Sequence, residues 1–206
     1  MRRSGTALAV GLGIVGVLLG GQAGAEGRWT TVRTDPDGLT VESRDVPESG
    51  MPELRLTLKT SATPEALLEA AWTLRDEGMQ QKYLAERKVL SRAPTERTMF
   101  LKYEPPIIRP RLAVLREQRS NDAATGVAQM SFKRLSYTPA NAKGNPFAHL
   151  RGAWRFEPDG KGATRVVYTV LIDVGGVPAW LARGPQQQAA VDTVREVISY
   201  AVKPAS

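Results

Sequence analysis

The chain has no cysteine, a single histidine and only 6% aromatic residues among its 206. Without Cys there is no disulfide, no thiolate nucleophile, no iron–sulfur cluster, no Cys-type zinc site and no lipidated Cys anchor. One imidazole, His149, cannot supply the two or three that most catalytic zinc centres use. Runs of one charge and Gly/Ser or Pro/Gln tracts are also missing, which excludes wholesale disorder. No apolar run reaches the roughly 20 residues that span a bilayer as a helix. What remains is an ordinary globular composition, 42% hydrophobic, and a length suited to one domain.

The N-terminus reads as an address. Arg2-Arg3 is followed by an uncharged apolar stretch from Thr6 to Leu19, broken by Gly11, Gly13 and Gly16. Small residues then occupy Ala23-Gly24-Ala25, ahead of Glu26. These are the three regions of a secretory signal peptide, with the cut after Ala25 and a mature domain over 26–206. The location implied is periplasmic or secreted, with an uncleaved N-terminal membrane anchor as the alternative. Residues 1–25 hold two Arg and no acid, so the mature chain carries 26 basic against 21 acidic residues, net +5. That scattered excess suits a solubilising surface or transient approach to an anionic membrane, and it is no nucleic-acid-binding stripe. No nucleic acid partner and no cofactor are expected, and the chain reads as a monomer.

Along the mature chain, strands are predicted at Trp29–Arg33 and Leu39–Val46 around the turn Asp35-Pro36-Asp37-Gly38. A half-buried strand follows, where Leu54, Leu56 and Leu58 alternate with polar residues. Thr63-Pro64-Glu65 opens a helix whose apolar face is Leu67, Leu68, Ala71 and Leu74. A second short helix or turn is predicted over Arg75 to Ala85, with Tyr83 and Leu84 packing inward. Six strands come next, near Arg87–Arg92, Thr95–Tyr103, Arg111–Arg119, Gly126–Leu135, Ala148–Glu157 and Thr164–Asp173. Their turn spacing points to an antiparallel meander. Ser136 to Pro146 reads as an irregular loop. A last helix spans Pro178 to Val202, with a kink or a break expected at Gly184-Pro185.

Two stretches carry a family resemblance. Leu150-Arg151-Gly152-Ala153-Trp154-Arg155-Phe156-Glu157-Pro158 leads through Gly160 to Ala163-Thr164-Arg165-Val166-Val167-Tyr168. Asp173-Val174-Gly175-Gly176-Val177-Pro178-Ala179-Trp180-Leu181 then introduces the terminal helix. This ending, with the opening Asp37-Gly38-Leu39-Thr40-Val41-Glu42-Ser43-Arg44 hairpin, resembles bacterial START domains of the SRPBCC superfamily over about residues 29 to 203. The resemblance implies an α+β helix-grip fold, a curved antiparallel β-sheet wrapped around a long C-terminal α-helix with an internal hydrophobic cavity. Two positions depart from the family pattern. Arg111-Leu112 stands where an R-D pair is common, and Tyr83 replaces a Trp common after the first helix region.

In such a fold, alternation sends Leu56, Leu58, Met99, Leu101, Met130, Phe132, Trp154, Phe156 and Tyr168 inward, closed by Val191, Val194 and Ile198 from the helix. A cavity between them would be a few hundred Å3 in the usual case, and the resemblance implies a lipid, sterol or other hydrophobic small molecule within it. The same residues serve a solid core equally well. Arg116 shares the parity of Leu112 and Val114 and is placed inward as a ligand contact, needing a carboxylate partner. His149 reads as a surface residue.

Three functions are therefore set against each other. The first is non-catalytic binding of a hydrophobic ligand, for lipid transfer or sensing in the cell envelope. The second is a polyketide cyclase or aromatase in the same cavity, with Tyr103, Arg116 and Tyr168 as its first candidates. The third is an envelope protein with a vestigial cavity that binds another protein, with Pro105-Pro106-Ile107-Ile108 as a docking edge or as a lid over the cavity entrance.

Overall fold

The computed structural model describes residues 27–77, 83–106, 108–137, 139 and 141–203. The proposed signal peptide lies outside the described residues, as does Ile107 of the proposed docking edge. Ten strands and two helices follow in chain order: β1 (Thr30–Thr34), β2 (Thr40–Arg44), β3 (Glu53–Thr60), α1 (Pro64–Glu77), β4 (Leu84–Arg92), β5 (Glu96–Tyr103), β6 (Arg111–Asp122), β7 (Val127–Arg134), β8 (Asn145–Pro146), β9 (His149–Pro158), β10 (Thr164–Asp173) and α2 (Ala179–Ala201). The sheet order is β1-β2-β3-β10-β9-β7-β6-β5-β4, every neighbour antiparallel. The β3–β10 pairing joins the N-terminal meander to the long one, making a single curved sheet that grips both helices on one face.

Local chemistry places the helices. Thr63 Oγ1 accepts a hydrogen bond from the Ala66 backbone N–H at 3.2 Å, and Pro64 occupies the first helical position of α1, where its missing N–H costs nothing. α1 lies across β7 and β9, and α2 across β3 and β10, with the two helices in contact. One apolar cluster unites their inner faces with the strands, from Leu67, Ala71 and Trp72 of α1 to Val191, Val194 and Val197 of α2. The Gly184-Pro185 break does not occur: one helix runs from Ala179 to Ala201 with Pro185 inside it. Its buried residues are Ala190, Val191, Val194 and Val197, so the half around Pro185 gives up one backbone hydrogen bond where little is packed against it.

Two other expectations change. Arg75 to Glu77 belong to α1, residues 78–82 of the expected second helix lie outside the described residues, and Tyr83 is 44% exposed rather than packed inward. Leu84, by contrast, starts β4 and packs against the core. In the stretch expected to be an irregular loop, Asn145–Pro146 form β8, which pairs in parallel with Arg111 and Leu112 beyond the end of β7. That stretch crosses the outer face of the sheet, where Leu135 and Ala142 pack on Phe100, Leu112 and Val114.

Candidate functional site: a charged cluster inside the apolar grip

This outer cluster reverses the parity of β6. Leu112 and Val114 face outward beneath the crossing segment, while Arg111, Ala113, Leu115 and Glu117 face the helices. Arg116 consequently stands on the outer face, its side chain 46% exposed, 3.7 Å from Glu96. The inward placement of Arg116 was wrong because Leu112–Leu115 is an unbroken apolar run, buried on both faces, which carries no alternation to read. The other twelve candidates are together. Leu56, Met99, Leu101, Met130, Phe132, Trp154, Phe156, Tyr168, Val191 and Val194 are buried in one cluster, and Leu58 and Ile198 pack against it.

Register explains their grouping. One row across the sheet runs Leu56, Tyr168, Trp154, Met130, each the directly paired residue of the next strand. The Trp154 and Tyr168 rings stack at 4.0 Å between centroids. The neighbouring row runs Arg97, Glu117, Phe132, Gly152, Val170. Gly152 is required there: a Cβ would stand 2.5 Å from the Phe132 ring and 2.7 Å from the Thr169 carbonyl oxygen.

Glu117 is fully buried, and both of its oxygens are engaged. Arg75, descending from α1, donates from Nε to Oε1 at 2.6 Å, and Arg97, from the adjacent strand, donates from Nε to Oε2 at 2.7 Å. Arg97 also donates from Nη2 to the Trp72 carbonyl at 2.9 Å. Each guanidinium covers an aromatic face, Arg75 on Phe132 at 4.3 Å and Arg97 on Trp72 at 4.0 Å. Burial works to lower the Arg75 pKa, but the charge and hydrogen bonds of Glu117 outweigh it and the net displacement is upward. Arg87 on β4 pairs with Leu101 and reaches the Leu74 carbonyl at 3.5 Å; burial lowers its pKa. Tyr103 and Tyr168 complete the surroundings. Burial pushes both phenols up to about 12, against the pull of Arg75.

Beside this cluster, at the β4–β5 edge of the sheet, lies a recess of about 10 Å3 lined by Arg75, Arg87, Met99 and Leu101. It holds about one water molecule. The three enzyme candidates are not assembled, since Arg116 is on the opposite face from Tyr103 and Tyr168. His149 is partly exposed on the outer side of β9.

Sequence reasoning missed Trp72, Arg75, Arg87, Arg97 and Glu117. The signal for Arg97 was present, because it shares the alternation of Met99 and Leu101. Arg75 likewise falls three and four positions after Trp72 and Ala71, on the apolar face of α1. Arg111, the position compared with the family's R-D pair, donates to the Val174 and Gly175 carbonyls at 2.6 and 2.8 Å. It thereby holds the turn that leads into α2.

Solved structures share this fold. The STAR-related lipid transfer protein (fragment 25–204) from Xanthomonas axonopodis superposes with a TM-score of 0.71 at 18% identity, over 85% of this chain and 99% of that one. The lipid transfer and protein localization domain of human StarD13 gives 0.66 at 16% identity, over 87% and 91%. Human StAR-related lipid transfer protein 5 gives 0.67 at 14% identity, over 84% and 86%. The chain has the START fold. No protein-family model and no curated protein sequence matches the chain. What the START fold positions here is a buried ion cluster inside an apolar grip, and its chemistry has to be read from these residues.

Proposed function

We propose that this START-fold protein binds a lipid or another hydrophobic small molecule between its sheet and its two helices, without catalysing a reaction on it. One observation carries the reading: Arg75, Arg97 and Glu117 are buried within an otherwise apolar cluster. A buried ion cluster gives little stability over apolar residues of similar volume, because desolvation offsets the attraction. Polar groups kept at such a place suit recognition of a ligand's polar end, with the apolar row from Leu56 to Met130 against its tail. Met99 and Met130, unbranched and adaptable, are the side chains best able to make room. The solved structures described as lipid transfer domains lend the same direction to the reading, by fold alone. Phenols pushed up to about 12 sit far from the range useful for acid–base work near neutrality.

The wider setting follows from the N-terminus and α2. Residues 1–25 act as a cleaved signal peptide, and the mature monomer works in the cell envelope. There it contacts membrane surfaces transiently through the exposed first turn of α2, where Trp180 is 80% and Leu181 55% exposed beside Arg183. An aromatic and an aliphatic side chain next to a cation, on a chain of net positive charge, suit an anionic lipid surface. Among the described residues no helix is long and apolar enough to cross a membrane.

Native mass spectrometry of the protein isolated from its producing cell and incubated with a total lipid extract tests this. The expected spectrum shows a chain beginning at Glu26 with a bound lipid mass. A folded chain that retains no lipid contradicts the binding reading, and one that keeps residues 1–25 in the membrane fraction contradicts the cleavage.

A further inference from the structure

Cations without a carboxylate gather at one end of the sheet. β7 finishes there with Lys133 and Arg134 and β10 with Asp173, while β6 and β9 begin there. Arg109 stands two residues ahead of β6, Lys143 two residues ahead of β8, and Arg183 in the opening turns of α2. None of these five has an ion-pair partner among the described residues. We infer that this end docks on an anionic membrane surface, with the five cations as its contacts to lipid phosphates. The inference rests on the membrane-contact reading above and extends it from one turn of α2 to a face built from separate parts of the chain.

At the opposite end of the sheet, charges are mostly matched. Lys59 pairs there with Asp159, Arg155 and Arg165 with Glu157, and Arg119 with Glu69, leaving Lys161 and Lys203. At the docking end the carboxylates are already engaged. Glu48 and Glu53 hold Arg151, Glu104 holds Lys102, and Asp173 accepts from Ser49 and from the Gly175 N–H. That leaves Asp45 and, on the edge strand, Glu86 against the five cations. Lys133 is also directly opposite Arg116 on one side and Arg151 on the other, and like charges so placed destabilise a sheet. An anionic surface laid over the row relieves that repulsion.

The same end carries side chains that enter a headgroup layer. Trp180 is 80%, Tyr137 59% and Leu181 55% exposed. The first turn of α2 is tied to the Lys133 row: Ala179 and Ala182 pack on Val46, Met51 and Leu171, and Leu171 pairs with Arg151. Gly27 donates from its N–H to the Asp45 carbonyl at 3.1 Å, so the chain from the N-terminal apolar stretch enters the fold here as well. Trp and Tyr among cations form the pattern of a membrane interface, and each Lys or Arg near an anionic leaflet adds to the attraction.

Sedimentation of the purified protein with phosphatidylcholine vesicles, with and without phosphatidylglycerol, tests this. The double variant Lys133→Gln with Lys143→Gln should lose at least about 10-fold in binding to the anionic vesicles, a few-fold per cation near such a surface, and nothing on phosphatidylcholine alone. Lys161→Gln with Lys203→Gln removes the same charge at the opposite end and should lose under about 2-fold, because screening confines the attraction to nearby charges. Equal losses by the two pairs mean that net charge, not this face, drives binding, and they overturn the inference. Unchanged binding by the first pair overturns it too; a loss by Trp180→Ala in that case leaves the α2 turn as the contact on its own. No binding of the unaltered protein to either vesicle overturns both readings. Binding of soluble polyglutamate without binding of the anionic vesicles assigns the face to an acidic protein, which also overturns the inference.

Discussion

Glu117 has no water to fall back on. Fully buried, its two oxygens each accept a hydrogen bond from Arg75 or Arg97, and removing the carboxylate leaves two guanidiniums beside each other in an apolar cluster. Glu117→Gln is therefore expected to destabilise the fold by about 3–5 kcal/mol, the range for breaking one side of a buried pair. Chemical denaturation with an unchanged slope measures it. A loss under about 1 kcal/mol would mean that water reaches the cluster and would undo the case for a desolvated head-group site. This is also the scale at which the sequence was least legible. A charged residue inside a strand reads as solvent-facing by default. Only parity shared with Met99 and Leu101 gives Arg97 away. For Glu117 even parity fails, since Leu112–Leu115 fills both sides of β6 and one wrong step turned Arg116 inward in its place.

Among the elements, those with a clean period were legible. The alternation of Leu54, Leu56 and Leu58 and the Thr63-Pro64 helix start correspond to β3 and α1. What failed was decided by contacts made far along the chain. β8 exists because Asn145 and Pro146 meet the free edge of β6 left where β7 ends. α2 runs through Pro185 because packing from Ala190 onward anchors its C-terminal half, together with Arg195 paired to Asp35 and Asp37 at 2.7 and 2.8 Å. Its first turn, by contrast, presents Trp180 to solvent. Trp180→Ala should leave thermal stability nearly unchanged, as an exposed substitution does, and should weaken sedimentation with anionic vesicles about 10-fold. Equal vesicle binding by the variant would remove this turn as the membrane contact.

For the whole molecule, the fold follows from the conflict each element faces alone. The central strands of the grip carry an apolar face that the two helices cover, and the helices bury their own apolar faces against that sheet and against each other. The curved sheet thus faces the helices with side chains from all its central strands, and a water-sized recess lies among them at the β4–β5 edge. In the binding we propose, the flexible side chains of Met99 and Met130, buried in the same apolar cluster, are the ones that make room for the ligand. Nuclear Overhauser contacts between the methyl groups of these two methionines and the tail of a bound, isotope-labelled amphiphile examine this most directly. The account predicts contacts from the tail to both methyls. Contacts confined to exposed residues such as Trp180, with none to Met99 or Met130, would contradict it.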